Sequence, residues 1–173
     1  MKIILRELEL KDEKSFIQAI IEFQQIQPVW DFAFEYNDSI PFSMYVQRLH
    51  NWSLGLDLPA DWVRNTFLVA LNKETIIGRV SIRHRLNKHL EMYDGHIGYG
   101  VVPSYRGQGY AKEILRLALL EAKKLKIQRV LVSADENNVA STRVIERNGG
   151  IYDNSVTQPD CRIPKRRYWI NLA

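Results

Sequence analysis

A chain of 173 residues, 46% hydrophobic and 25% charged, has the balance of an ordinary globular protein: long enough for a sizeable core and too apolar for a disordered chain. Its formal net charge of +4, with a pI near 9.2, suits an anionic ligand but is too small to mark a nucleic-acid binder. The one cysteine, Cys161, excludes an intrachain disulfide and fits a reducing compartment.

Met1 to Leu10 alternates charged and apolar residues and lacks the apolar run of a secretory signal. No stretch approaches the roughly 20 apolar residues of a membrane span. The expectation is a soluble, cytoplasmic protein with neither membrane nor nucleic acid as partner. Lys2 to Leu8 reads as a first strand. Asp12 then suits a helix N-cap, with Phe16, Ile17, Ile20, Ile21 and Ile26 at roughly helical spacing and Pro28 as the stop. Trp30 to Trp62 is aromatic-rich and irregular; within it Pro41 suits the first position of a second helix, which Gly55 to Pro59 breaks. Thr66 to Leu71 and Thr75 to Arg83 read as a hairpin around Asn72-Lys73-Glu74. Asn87 to Asp94 reads as a polar loop and His96 to Val102 as a strand stopped by Pro103.

From Tyr110 to Leu125, the residues Ala111, Ile114, Leu115, Ala118, Ala122 and Leu125 form an amphipathic helical stripe. Val130-Leu131-Val132 suits a strand buried on both faces. Asn138 or Ser141 caps a helix over Val139 to Arg147, ended by Gly149-Gly150, and Ile151 to Val156 with Arg167 to Leu172 reads as a closing hairpin. The strand, helix, strand run from His96 to Ala134 predicts a right-handed crossover between parallel strands. The fold class is therefore α/β, a mixed and mostly antiparallel sheet with a central parallel pair and helices on its faces, in one domain over residues 1–173.

The sharpest feature lies between the strand and the long helix, at Arg106-Gly107-Gln108-Gly109-Tyr110-Ala111. A helix N-terminus offers unpaired N–H groups and partial positive charge, and glycines let the backbone curl around an anion. Arg106 and Lys112 add charge at that end, where Lys112 opposes the helix dipole. The competing reading is a tight turn that only starts a helix; the basic residues favour the anion. A P-loop string is absent. A dinucleotide fingerprint would need glycine where Lys112 stands, and would follow the strand directly.

These residues resemble the GNAT superfamily of N-acetyltransferases, whose cofactor motif is Gln/Arg-x-x-Gly-x-Gly/Ala. The strand ending Val101-Val102-Pro103 and the string Asn138-Val139-Ala140-Ser141, closing at Asn148-Gly149-Gly150, match the segments that flank it. The resemblance covers roughly Thr66 to Ile170. It implies acetyl-CoA as cosubstrate, no metal, and direct transfer of acetyl to a primary amine of a small molecule or protein. It implies that backbone groups of Val101 and Val102 bond the pantetheine arm and that the loop Arg106 to Ala111, Gln108 included, holds the pyrophosphate through the N–H groups of Gly107, Gly109, Tyr110 and Ala111. Asn138 and Ser141 would contact the pantetheine or the region near the thioester. A cofactor core over about residues 66–150 and a variable helical acceptor region over about 12–62 follow, with a homodimer as the self-association to consider. Gly98 and Gly100 suit a strand bulge that splays two parallel strands.

For the proton chemistry His96 is the base candidate, since an imidazole near its ordinary pKa of about 6.5 shuttles protons at neutrality. Its competing role is structural. Glu91 is a weaker base candidate, and Asp94 stands in the same loop. Where many relatives carry a tyrosine acid, this chain has Ile145. That leaves Tyr99, Tyr105 or Tyr152, or an unassisted thiolate, and it motivates the alternative of a non-catalytic acyl-CoA-binding sensor. The aromatic residues Trp30, Phe32, Phe34, Tyr36, Phe42, Tyr45, Trp52 and Trp62 suggest an acceptor pocket, with Asp31, Glu35 and Asp38 to attract an amine. For each aromatic singly, packing is the stronger reading.

Overall fold

The computed structural model describes residues 3–26, 31–37, 39–159 and 161–172, so Pro28, Trp30 and Asp38 lie outside the described residues. Strand β1 (Ile3–Arg6) pairs with β2 (Asn65–Asn72), β2 with β3 (Thr75–Arg83) and β3 with β4 (Ile97–Val101), every pair antiparallel. A second sheet has the order β5 (Arg129–Asp135), β7 (Lys165–Asn171), β6 (Ile151–Val156), again antiparallel. Helix α3 (Tyr110–Lys124) carries the chain from β4 to β5, and α4 (Val139–Glu146) follows β5.

Helix α3 joins β4 to β5, yet the two strands lie in separate sheets and form no parallel ladder among the described strands. They meet at one bridge, Gly95 to Val132, and at His96 N–H donating to the Leu131 carbonyl over 2.7 Å. Beyond that point they part. The expected bulge at Gly98 and Gly100 is absent, because β4 keeps unbroken register with β3 from Ile97 to Val101. The extra residues fall instead at Ile77 in β3 and Asp153 in β6. What splays β4 from β5 is Gly95. Its φ of 68° and ψ of −167° belong to glycine alone, and a β-carbon there would stand 2.4 Å from the Leu131 carbonyl oxygen. The segment before it, expected as loop, winds into a π-helical turn over Leu90–Asp94, which the Asn87 side chain starts by accepting from the Leu90 N–H.

Alternation along the first sheet sends its two faces to separate cores. One face, with Phe67, Val69, Leu71, Ile76 and Val102, packs on α1 (Glu13–Gln24) and α2 (Phe42–Leu54). The buried stripe of α1 is Phe16, Ala19 and Phe23, while Ile21 is exposed, so the helix faces the sheet through its aromatics. The stripe of α2 is Phe42, Tyr45, Leu49 and Trp52, also at helical spacing. The other face, with Leu68, Val80, Ile82, Ile97 and Val101, packs on Ile114, Leu115, Ala118 and Ala122 of α3, Val130 and Val132 of β5, and Ile145 of α4. Pro41 is the N-cap of α2, one position ahead of that expected, and Gly55 ends the helix at φ 83°. Asp12 precedes α1, but its carboxylate accepts from Arg6 and from the Glu9 N–H rather than capping that helix.

Gly95→Ala should lower the unfolding free energy by roughly 3 kcal/mol, combining backbone strain with the clash on Leu131. Gly98→Ala places its β-carbon 3.4 Å from Ser81 Oγ, an ordinary contact, and should cost less than about 1 kcal/mol. Urea denaturation of both variants measures the contrast.

Candidate functional site

After β4 a single 3-10 turn, Pro103–Tyr105, leads into the glycine loop. Gly107 and Gly109 take φ of 74° and 82°, and neither would meet another atom within 4 Å if it carried a β-carbon. These glycines therefore serve backbone shape, and the space above them is open. Gly109 is the N-cap of α3 and has no side chain to cap it, so the first N–H groups of the helix face that space without a side-chain acceptor. This arrangement fits a pyrophosphate. Tyr110 anchors the loop: its ring is buried and its hydroxyl accepts from Asn72 Nδ2 over 3.2 Å. Gln108 donates to the Ser104 carbonyl, and the Ser104 N–H donates to Glu22 of α1. Arg106 turns inward, its Nε donating to the Val101 carbonyl over 3.1 Å and its guanidinium lying 5.5 Å from the Phe23 ring centroid. Lys112 is the cation left exposed on the first helical turn.

The backbone of β4 offers its groups alternately to β3 and to the gap. Arg83 N–H donates to His96 O and Val102 N–H to Ile77 O, which places the His96 carbonyl and residues 98, 100 and 102 on the β3 side. The groups of Ile97, Tyr99 and Val101 face the gap. Val102 thus spends its N–H on the sheet, a correction to its expected role, and Tyr99 replaces it as a gap-facing residue. Sequence alone missed Tyr99 here, although the strand's two-residue period held the signal once Val101 was placed.

Across the gap, Asn138 is the N-cap of α4, its Oδ1 accepting from the Ser141 N–H over 3.1 Å. The Tyr99 hydroxyl donates to the Ser141 carbonyl over 3.5 Å, and burial pushes this phenol up to about 12. Ile145 is wholly buried in the core. His96 is buried at the fork, where its Nδ1 accepts from the Leu131 N–H over 3.0 Å. That bond fixes the neutral tautomer with its proton on Nε2. Burial, and secondarily the Arg83 charge, lowers its pKa to about 4. With Nδ1 bonded and Nε2 protonated, no lone pair is free to accept a proton, so the geometry suits a structural acceptor rather than the expected base. Glu91 stands exposed on the π-helical turn.

Most aromatics of the expected acceptor pocket are core. Phe32, Phe42, Tyr45 and Trp52 are buried, and Phe16 alone meets Phe32, Phe42 and Tyr45 at centroid distances of 5.6, 5.7 and 5.8 Å. Phe34 and Trp62 are different: they line a cavity of about 340 Å³ between the loop 60–65, the end of β3 and the π-helical turn. Asp31 and Glu35 are exposed. A residue that the apolar reading of β3 passed over organises this region. Arg79 is fully buried, donates to the carbonyls of Phe32 and Asp31 over 3.1 and 2.6 Å, and lies 4.4 Å from the Phe34 centroid. Burial, with Arg83 adding to it, lowers its pKa to about 9, so it stays a cation at neutral pH. No group of metal-ligating side chains occurs among the described residues, and no described helix is long and apolar enough to cross a membrane.

The model of the acetyltransferase (GNAT) domain matches residues 2–151. No curated protein matches the chain. Solved structures do. RimJ of Mycobacterium smegmatis, in complex with CoA-disulfide, gives a TM-score of 0.73 at 15% identity over 98% of this chain and 81% of that one. The yncA protein of Salmonella typhimurium, solved with its cofactor acetyl-CoA, gives 0.66 at 14% identity over 99% and 94%. A chimera of the spermidine N-acetyltransferase SpeG from Vibrio cholerae and hSSAT gives 0.65 at 14% identity over 99% and 96%. At these identities the likeness is one of fold.

The buried histidine carries a pH signature. Its folded pKa of about 4 lies below the unfolded value of about 6.5, so the unfolded chain takes up the proton first as pH falls. Stability from His96 is complete above about pH 6.5 and is lost progressively down to about pH 4. His96→Asn, whose Oδ1 still accepts from Leu131, should remove that loss. Urea midpoints of both proteins at pH 7 and pH 5 check it, and parallel losses in the two would contradict it.

Proposed function

The chain belongs to the GNAT acetyltransferase family, and on that premise we propose that it transfers the acetyl group of acetyl-CoA directly to a primary amine of a small molecule or protein. The observation that carries this reading is the uncapped start of α3 on two left-handed glycines, open to solvent beside the one-sided edge of β4. In this reading the N–H groups of Gly107, Gly109, Tyr110 and Ala111 hold the pyrophosphate. Backbone groups of Tyr99 and the N–H of Val101 face the pantetheine from one side of the gap, and Asn138 and Ser141 from the other. Acetyl-CoA, when bound, supplies an acetyl thioester. The amine nitrogen bonds to the carbonyl carbon as the carbon–sulfur bond breaks, the nitrogen gives up one proton, and the sulfur ends as a thiol.

Tyr99 is the proton donor we assign to the departing sulfur. Its phenol stays protonated across the physiological range, and it reaches the first turn of α4 from the strand. This supplies from β4 what Ile145 cannot supply from the helix. His96 holds the fork, and Glu91 with solvent receives the proton of the amine. A second reading, a non-catalytic acyl-CoA binder, draws on the buried Ile145 and the bonded His96 Nδ1.

Thiol release from acetyl-CoA across an amine panel separates the two. The transferase reading expects turnover, and Tyr99→Phe should lower kcat roughly ten- to a hundredfold with little change in KM for acetyl-CoA. Gly109→Ala, strained at positive φ, should weaken acetyl-CoA binding about tenfold by calorimetry. Binding without turnover on any amine would make the protein a binder, and absence of binding would end both readings.

A further inference from the structure

The cavity at the end of β3 has a chemical character of its own. Its walls are tied together by Asn87, whose Nδ2 donates to the Asp61 carbonyl and whose Oδ1 accepts from the Leu90 N–H, each over 2.8 Å. Phe34 and Trp62 pack edge to face on one side, with centroids 5.9 Å apart. Two polar side chains in the lining stand out, and one of them lacks a partner. Asn65 is 4% exposed, and its Oδ1 is buried with no hydrogen-bond partner. A buried acceptor left unbonded in a folded protein calls for an explanation, and a ligand donor is one.

The second is Arg83. Its Nη1 donates to the carbonyls of Asp94 and Gly95 over 3.3 and 3.2 Å. The carboxylate acting on it, Asp94, is already shared with His89 over 3.0 Å and Lys165 over 3.8 Å. Burial lowers the Arg83 pKa, and Arg79 stands four residues away on the same face of β3. The lining also carries Asp61 and Asp94, so the cavity offers one guanidinium for a carboxylate and acids for an ammonium, a set that suits a ligand bearing both charges. The guanidinium also lies against β4: a β-carbon on Gly98 would stand 3.7 and 3.8 Å from Nη1 and Nη2. The cation therefore sits where the cavity meets the strand whose other edge faces the gap.

We infer that this cavity is the acceptor site and that the acceptor is a small amine bearing a carboxylate, which the Arg83 fork receives while Asn65 Oδ1 takes an N–H of the same molecule. The inference rests on the acetyl-transfer reading above and narrows its acceptor. A volume of about 340 Å³ falls in the range of small-molecule sites, which suits an amino acid. A planar guanidinium matches the two oxygens of a carboxylate. A polyamine would bring positive charge to Arg83 and Arg79.

Matched acceptors test it: glycine against glycinamide and lysine against lysinamide, with spermidine as the cationic extreme. With acetyl-CoA, kcat/KM should favour each free acid over its amide by about tenfold or more. In the presence of coenzyme A, millimolar free acid should raise the thermal midpoint where the amide does not. Arg83→Gln should abolish both preferences while leaving acetyl-CoA affinity by calorimetry unchanged. Arg83→Lys, which keeps the charge and loses the fork, should retain part of them and covers the case in which Arg83→Gln fails to fold. Asn65→Leu should keep or raise the thermal midpoint of the free protein yet raise KM for the acceptor severalfold, a split that a purely structural asparagine would not give. Equal use of acids and amides, preference for spermidine, or no midpoint shift with any free acid overturns the inference. Loss of acetyl-CoA binding itself would instead strike the reading on which it rests.

Discussion

A backbone N–H or carbonyl taken out of water must find a partner, and β4 meets that requirement with protein along one edge only. Its β3 side is laddered from Ile97 to Val101. Its other side begins on β5, through Gly95 and His96, and is then released. The rest of the molecule follows from where that release occurs. Gly95 permits the close approach to Leu131, His96 lends Nδ1 to a Leu131 N–H that the departing backbone no longer reaches, and the exposed edge runs on to the turn that launches α3. The candidate site is thus built from a strand edge and a helix start rather than from a cluster of reactive side chains.

Elements whose signals are local were legible in the sequence. The β2–β3 hairpin, α3 and the β6 strand fall within a residue or two of where their periodicity put them. The left-handed glycines at 107 and 109 stand where the loop pattern required them. What was not legible depended on partners distant in sequence. Strand, helix, strand implied a parallel pair, and α3 does join β4 to β5, but in separate sheets. Whether the two strands then bond depends on the φ of Gly95 and on His96, and neither leaves a mark on periodicity. The same holds for His96 itself. A histidine beside two glycines looks available for catalysis until Leu131, thirty-five residues on, is seen to occupy its lone pair.

Arg79, Ser81 and Arg83 show a different limit. They alternate with Val80 and Ile82, and in an antiparallel strand such a pattern ordinarily marks a solvated face. Here the segment around Asp31 to Phe34 folds over that face and accepts from Arg79 through its carbonyls, so a polar stripe becomes interior. Conversely, the aromatics that seemed to announce a ligand pocket are mostly consumed by one another: Phe16 gathers three of them into the core under α1 and α2. Composition identified a region rich in rings but not which of them would remain to meet a ligand.

The absence of a ladder between β4 and β5 also bears on which acyl groups the gap would admit in the proposed reading. Paired strands are held about 4.8 Å apart by their hydrogen bonds, a spacing that no side-chain change can reset. Here the strands part at Gly95, and Tyr99, Val132 and Ile145 belong to the core that packs about them. In the acetyl-transfer reading, acyl length is then a matter of side-chain volume rather than of ladder spacing.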